Sequence, residues 1–340
     1  MSAPSQNEDH TAIAASLQRM ELMMDGQSIA VEPLSGGISC DVLRVRVADG
    51  PEMVVKRALP KLRVAADWRA PAERAGTEVD WFNLVAGIDP RLVPEILGED
   101  RAHHTFAMEY LPPETHPLWK TELAAGRVDI AFATRVGTSV ARIHAATAGR
   151  EDVMHDFEHD TQFHALRLEP YLLFTAKKHA DVAPRIRSLA GNVAKARIAL
   201  MQGDISPKNI LVGPDGPVFL DAETACYGDP AFDLAFCLNH LLLKGVWHPK
   251  YRKAYREAFT ALADAYLENV TWEEPDDIEA RAAALIPALL LARIDGKSPV
   301  EYLTDEKDKA SVRDAAKAML RKAPSTLNAV ADHFAGSSAR

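Results

Sequence analysis

The chain has 340 residues, 47% of them apolar and 26% charged, longer than one hydrophobic core usually organises and far from disordered or collagenous compositions. Its formal net charge of −9 argues against a mainly electrostatic grip on nucleic acid or anionic lipid. Three cysteines, Cys40, Cys226 and Cys237, show neither metal-ligand spacing nor a disulfide framework, which suits a reducing compartment. Residues 1–10 are polar and do not read as a secretory signal, and no apolar run reaches the roughly 18 residues of a spanning helix. The expectation is a cytoplasmic protein with no membrane or nucleic-acid partner.

In chain order, Ile13, Leu17, Leu22 and Met23 recur at helical spacing, which predicts an N-terminal helix over residues 11–24. Residues 29–33, 41–47 and 52–56 are β-branched runs separated by Ser35-Gly36-Gly37 and Asp49-Gly50, and an Asp-Gly pair favours a tight hairpin. A helix over 71–86 and strands over 92–97 and 105–110 follow, before Pro112-Pro113. Beyond these prolines the pattern becomes long helices, notably 129–146 and 184–200, and the chain from about residue 250 is also mainly helical. One β-island interrupts them: 211–212 and 218–220, joined by Gly213-Pro214-Asp215-Gly216, predict a hairpin. The expected class is α+β, with a strand-rich nucleotide-binding lobe over residues 1–110 and a helical lobe over 111–340 that carries the chemistry and the acceptor pocket.

The segment Gln202-Gly203-Asp204-Ile205-Ser206-Pro207-Lys208-Asn209, followed by Asp221-Ala222-Glu223, carries most of the chemistry. Phosphoryl transfer from a nucleoside triphosphate requires positioning, charge neutralisation and an acceptor for the substrate proton. Asp204 and Asn209 have the D-x-x-x-x-N spacing of a catalytic loop, in which the aspartate orients a hydroxyl and the asparagine amide oxygen holds a metal. Asp221, after a hairpin strand, supplies a hard anionic ligand for magnesium. The bland reading, that these are turn and cap residues, accounts for each alone but not for their order.

These motifs, with Gly228-Asp229-Pro230-Ala231-Phe232-Asp233-Leu234-Ala235, resemble the aminoglycoside phosphotransferase and choline kinase-like families. The resemblance implies a bilobed protein-kinase-like fold and a kinase using ATP or GTP with Mg2+ on a small-molecule alcohol. Asp204 would be the catalytic base, Asn209 and Asp221 the metal ligands, Glu223 an assistant to the metal, and Asp233 a buttress of the loop. Gln202 departs from the families, which usually carry histidine before Gly-Asp. Asp229, before proline and a helical run, reads as an N-cap. His144 resembles a helix-end histidine that bonds the loop, and His103-His104 reads as a surface turn.

In the first lobe, Val54-Val55-Lys56 is an apolar strand ending in the lysine that would grip the α- and β-phosphates. Its partner on the following helix would be Glu78, with Glu73 as competitor. Gly36 and Gly37 would cover the phosphates with backbone N–H groups, and the backbone of Met108, Glu109 and Tyr110 would bond adenine. Residues 56–64 with Trp68, Glu73 and Arg74 look like the first lobe of methylthioribose kinases, which raises a thiosugar acceptor. A protein kinase fits less well, because no Asp-Phe-Gly followed by Ala-Pro-Glu is present. A regulator that binds nucleotide without turnover is the other class, motivated by Gln202. Near the end, Arg293, Asp295, Lys297, Glu301 and Asp305 are candidate pocket residues, and the mixed charge predicts a neutral or anionic acceptor rather than a polycation.

Overall fold

Val42, Val45, Val47, Val54 and Val55 suit a pleated, half-buried surface, and they lie in two neighbouring strands of a five-stranded antiparallel sheet. The structure, a computed structural model, describes residues 6–34, 40–59 and 71–337. Gly36 and Gly37, and Lys61, Arg63 and Trp68, lie outside the described residues. The chain divides into two units, Met1–Pro112 and Pro113–Arg340.

In the first unit the strands β1 (Ile29–Pro33), β2 (Cys40–Val47), β3 (Glu52–Ala58), β4 (Ile96–Asp100) and β5 (Thr105–Glu109) are ordered β1-β2-β3-β5-β4. The β2–β3 turn uses Asp49 at φ 58°, and the Gly50 N–H donates to the Val47 carbonyl at 3.0 Å. Helix α1 (Gln6–Arg19) buries Ile13 and Leu17 against Val45, Val47, Met53 and Val55, each such side chain contributing about 1.5–3 kcal/mol. Arg19 then pairs with Asp100 at 2.7 Å, and His103 reaches the same carboxylate at 2.8 Å. Burial raises that carboxyl, but hydrogen bonds from Arg19, His103 and Ser16 outweigh it and hold the group at about 2.

Helix α2 (Arg74–Ile88) follows. The strand expected over residues 92–97 is a correction: Pro90–Leu92 forms a 3-10 turn capped by the Asp89 side chain, which accepts from the Arg91 N–H. Strand pairing begins only at Ile96, beyond Pro94, which has no N–H to give to a ladder.

The second unit contains α3 (Trp119–Ala124), α4 (Ile130–Thr147), α5 (Glu151–Asp156), α6 (Asp160–Phe163), a π-helical run His164–Leu173, α7 (Phe174–Lys178) and α8 (Ala183–Lys195). After the β-island come α9 (Ala231–Trp247), α10 (Arg252–Leu267), α11 (Pro275–Asp295), α12 (Glu306–Arg321) and α13 (Leu327–Ser337). Helix α9 is buried through almost its whole length and packs on α10 and α11. Helix α10 crosses α4 at Gly137, where a Cβ would stand 2.2 Å from the Leu262 carbonyl oxygen, so this approach of two backbones requires glycine.

Two short ribbons carry the loops. Strand β7 (Ile210–Val212) pairs with β8 (Pro217–Phe219), as the turn chemistry predicts, and β6 (Ala199–Met201) pairs with β9 (Cys226–Gly228). The helix expected over 184–200 therefore ends at Lys195. The Ile198 N–H bonds the Gly228 carbonyl at 3.0 Å, so pairing with a distant strand overrides local helical periodicity. Among the described residues no helix is long and apolar enough to cross a membrane.

Candidate active site

Strand β3 is paired on both sides, by β2 and β5, which places Lys56 in a central strand opposite Val42 and Phe106. The residue is 4% exposed. Its Nζ donates to both oxygens of Glu78 on α2, at 2.7 and 2.8 Å. Glu73 only precedes the first residue of α2 and makes no side-chain cap bond. Two desolvated charges persist because each satisfies the other, and removal of either costs about 3–5 kcal/mol. Met108 lies within β5, and the Glu109 N–H donates to the Glu95 carbonyl at 2.8 Å. The Glu109 N–H is therefore already used within the unit. The Tyr110 ring stacks under the Arg44 guanidinium at 4.3 Å.

In the second unit the β7–β8 register sets Ile210 opposite Phe219, and the Leu220 N–H bonds the Asn209 carbonyl at 2.9 Å. Asn209 and Asp221 therefore flank the open end of one hairpin. Asp204 is 1% exposed. Its Oδ2 accepts from Asn209 Nδ2 at 2.8 Å and meets Arg167 Nη2 at 2.9 Å and Lys208 Nζ at 2.8 Å. Its Oδ1 is buried with no hydrogen-bond partner. One carboxylate oxygen is thus saturated and the other has no partner. The Lys208 side chain keeps 44% of its surface exposed, so desolvation by its surroundings is outweighed by Asp204 and then Asp221, which raise the ammonium above its ordinary value.

Arg167 was not legible in the sequence. It lies in the π-helical run, where its Nε donates to the Gly203 carbonyl at 2.6 Å, so it grips both the loop backbone and the Asp204 carboxylate. An irregular helix containing Pro170 gives no periodic signal for such a residue.

Gln202 joins the loop to the metal-ligand candidate. Its Oε1 accepts from the Asp204 N–H at 2.7 Å, while its Nε2 donates to the carbonyls of Leu220 at 2.7 Å and Asp221 at 3.2 Å. Asp221 stands at φ 64°, a left-handed conformation that Asp tolerates better than most residues. Below the loop, the fully buried Asp233 accepts from the N–H groups of Gln202 at 2.7 Å and Gly203 at 2.8 Å. His144, bonded to Tyr266, reaches the same carboxylate at 3.4 Å. Gly203 has φ 78°, and a Cβ there would stand 2.7 Å from the Thr224 carbonyl oxygen. Replacing Gln202 with Leu leaves the Asp204 N–H and the Leu220 carbonyl unpaired and is expected to cost about 1–3 kcal/mol in urea unfolding. Unchanged stability would contradict the bridging role.

Magnesium is commonly held by one or two carboxylates together with phosphate oxygens, and the donors here have that character. Asn209, with its nitrogen committed to Asp204, has an amide oxygen to offer, and Asp221 has a carboxylate. Glu223 is buried beside them in the chain, with its carbonyl bonded by Gln162. Among the described residues no three His, Cys, Asp or Glu side chains form a metal nest by themselves, so an ion here would draw its remaining ligands from the nucleotide and water.

The C-terminal candidates separate. Asp295 is bound by Arg313 at 2.8 Å and His179 at 2.9 Å, Lys297 by Glu169 at 2.6 Å, and Asp305 caps α12 through the Lys307 N–H. None of these three lines the pocket beside the loop. Asp229 accepts from the Ala231 N–H and pairs with Arg281 at 3.1 Å. Arg293 and Glu301 instead line a pocket that Pro207 and Lys208 of the loop also border. A larger cavity, of about 330 Å3, lies by the β6–β9 ribbon and includes none of the candidate residues.

A five-stranded antiparallel unit with a buried Lys-Glu pair and a helical unit with an Asp-to-Asn loop and a following hairpin aspartate have the parts of a kinase-like fold. The chain belongs to the phosphotransferase enzyme family APH, whose model matches residues 30–274. It is 24% identical over 225 residues to methylthioribose kinase 1 of Oryza sativa subsp. japonica, an overlap of 58% of this chain and 52% of that protein. It thus spans about half the length of the curated relatives it matches. The fold is similar to that of the amicoumacin kinase hAmiN, with a TM-score of 0.62 at 14% identity over 95% of each chain. It is also similar to a choline/ethanolamine kinase family protein from Mesorhizobium loti, with a TM-score of 0.51 at 16% identity over 98% of this chain and 99% of that one.

Proposed function

We propose that this chain transfers the γ-phosphoryl group of ATP, in the presence of magnesium, to a hydroxyl of a small molecule. The observation that carries this reading is Asp204: Oδ2 is fixed by three donors and Oδ1 is bare, in a loop tied through Gln202 to Asp221. In the reaction the acceptor oxygen forms a bond to the γ-phosphorus as the bond to the bridging oxygen of ADP breaks. The hydroxyl proton passes to Asp204 Oδ1, and ADP leaves with a phosphate monoester. Lys56, held extended by Glu78, grips the α- and β-phosphates. Asn209 and Asp221 would hold magnesium, assisted by Glu223; when bound it neutralises charge on the β- and γ-oxygens.

The family match and the likeness to methylthioribose kinase 1 support a small-molecule acceptor, and hAmiN, solved with AMP-PNP, supports an adenine nucleotide. Nucleotide consumption by the full chain across sugars, thiosugars, amino alcohols and hydroxy acids tests the reading. At least one acceptor should raise consumption tenfold or more above the acceptor-free rate. Equal rates with every acceptor would count against it.

A further inference from the structure

Four parts of the second unit converge beside the loop: Lys120 from α3, Pro207 and Lys208, His240 and Lys244 from α9, and Arg293 from α11, with Glu301 and Tyr302 closing the pocket. The cations are unevenly matched. Lys208 is paired with Asp204, and Lys120 with Glu301, the one carboxylate in the pocket lining. Lys244 is 1% exposed, yet its Nζ has no hydrogen-bond partner. The Nε of Arg293, the Nε2 of His240 and the hydroxyl of Tyr302 are likewise buried and unbonded, although Arg293 Nη1 is held by Ser298 and Tyr171.

Burying a cation without a partner costs several kcal/mol. Only part is returned here by the aromatic faces under Lys244, the Trp247 ring at 4.9 Å and the Tyr302 ring at 4.4 Å. The local charge imbalance bears on both Lys244 and His240. Burial, and then Lys120, bring Lys244 down to about 8, while burial and the surrounding Arg293, Lys244, Lys208 and Lys120 hold His240 well below its ordinary value. Unbonded donors under net positive charge form a binding site for an anion, because an oxyanion would satisfy the donors and the charge together.

We infer that this pocket takes a compact oxyanionic group of the acceptor, a carboxylate or a phosphate, between Lys244 and Arg293, with His240 and Tyr302 as further hydrogen-bond partners. Its free space, about 30 Å3, holds about two water-sized groups, the scale of one anionic head rather than a sugar ring. Lys208 borders the pocket and also touches Asp204, so an anion anchored here sets the remainder of the molecule beside the base. The inference rests on the phosphotransferase reading for its meaning as an acceptor site, but anion binding can be measured without turnover.

The test is calorimetry of the full chain with glycerate, glycerol phosphate and glycerol. At least one anion should bind about tenfold or more tighter than glycerol. Lys244→Met, which removes an unpaired buried charge while keeping an apolar stem, should fold and should cut that preference to about threefold or less. Glu301→Gln, at an exposed position, should strengthen the preference by releasing Lys120. Absence of preference for either anion in the wild type, or a preference unchanged in Lys244→Met, would overturn the proposal. Which anion is favoured distinguishes carboxylate from phosphate. Anion binding that follows the variants while neither anion is phosphorylated upholds the pocket and leaves the phosphotransferase reading to be judged by the acceptor screen.

Discussion

Replacing Asp204 with Asn is expected to lower turnover by about 10²–10⁴-fold, the usual contribution of a positioned acid or base, while Mg-ATP affinity changes by no more than a few-fold. The amide has nearly the shape of the carboxylate, so Gln202 still receives the loop N–H and Asp233 still holds the loop from below. What disappears is the proton acceptor at Oδ1 and the charge facing Arg167 and Lys208. Steady-state rates with calorimetry on the same preparation separate the two effects. Turnover within tenfold of the wild type would remove Asp204 from the reaction.

The second large effect is expected at Asp221. Asparagine is the informative substitution, because it tolerates the φ of 64° that would strain alanine. Asp221→Asn keeps the Gln202 bond to the backbone carbonyl and removes the carboxylate charge proposed for magnesium, which also faces Lys208. Magnesium-dependent ATP affinity should fall by at least about 100-fold, whereas nucleotide affinity without magnesium should stay near the wild-type value. If calorimetry with and without magnesium gave the wild-type difference, the metal would be held elsewhere.

Much of the fold was legible because its signals are local. The Val54-Val55-Lys56 run and the Asp49-Gly50 turn set the centre of the sheet, and the Gly213–Gly216 turn set the β7–β8 hairpin. The pairing of Lys56 with Glu78 could be read because a charged residue at the end of an apolar strand has to find a partner. Less legible were features decided by distant chain. Strands β6 and β9 are three residues each, too short to show alternation, and β6 was absorbed into the preceding helical pattern. Arg167 comes to Asp204 from a π-helical run, and Gln202 looked like a departure although both ends of its amide are used. The pocket cations Lys120, Lys244 and Arg293 lie on three helices far apart in sequence, and which of them lack carboxylate partners depends on packing alone.

The central claim is transfer of a phosphoryl group from ATP to an alcohol, and phosphorus NMR of the full chain with Mg-ATP and the best acceptor from the screen tests it most directly. The account predicts a phosphate monoester resonance growing in step with ADP, and its loss in Asp204→Asn. Formation of ADP with inorganic phosphate alone, or no change in the nucleotide, would contradict it.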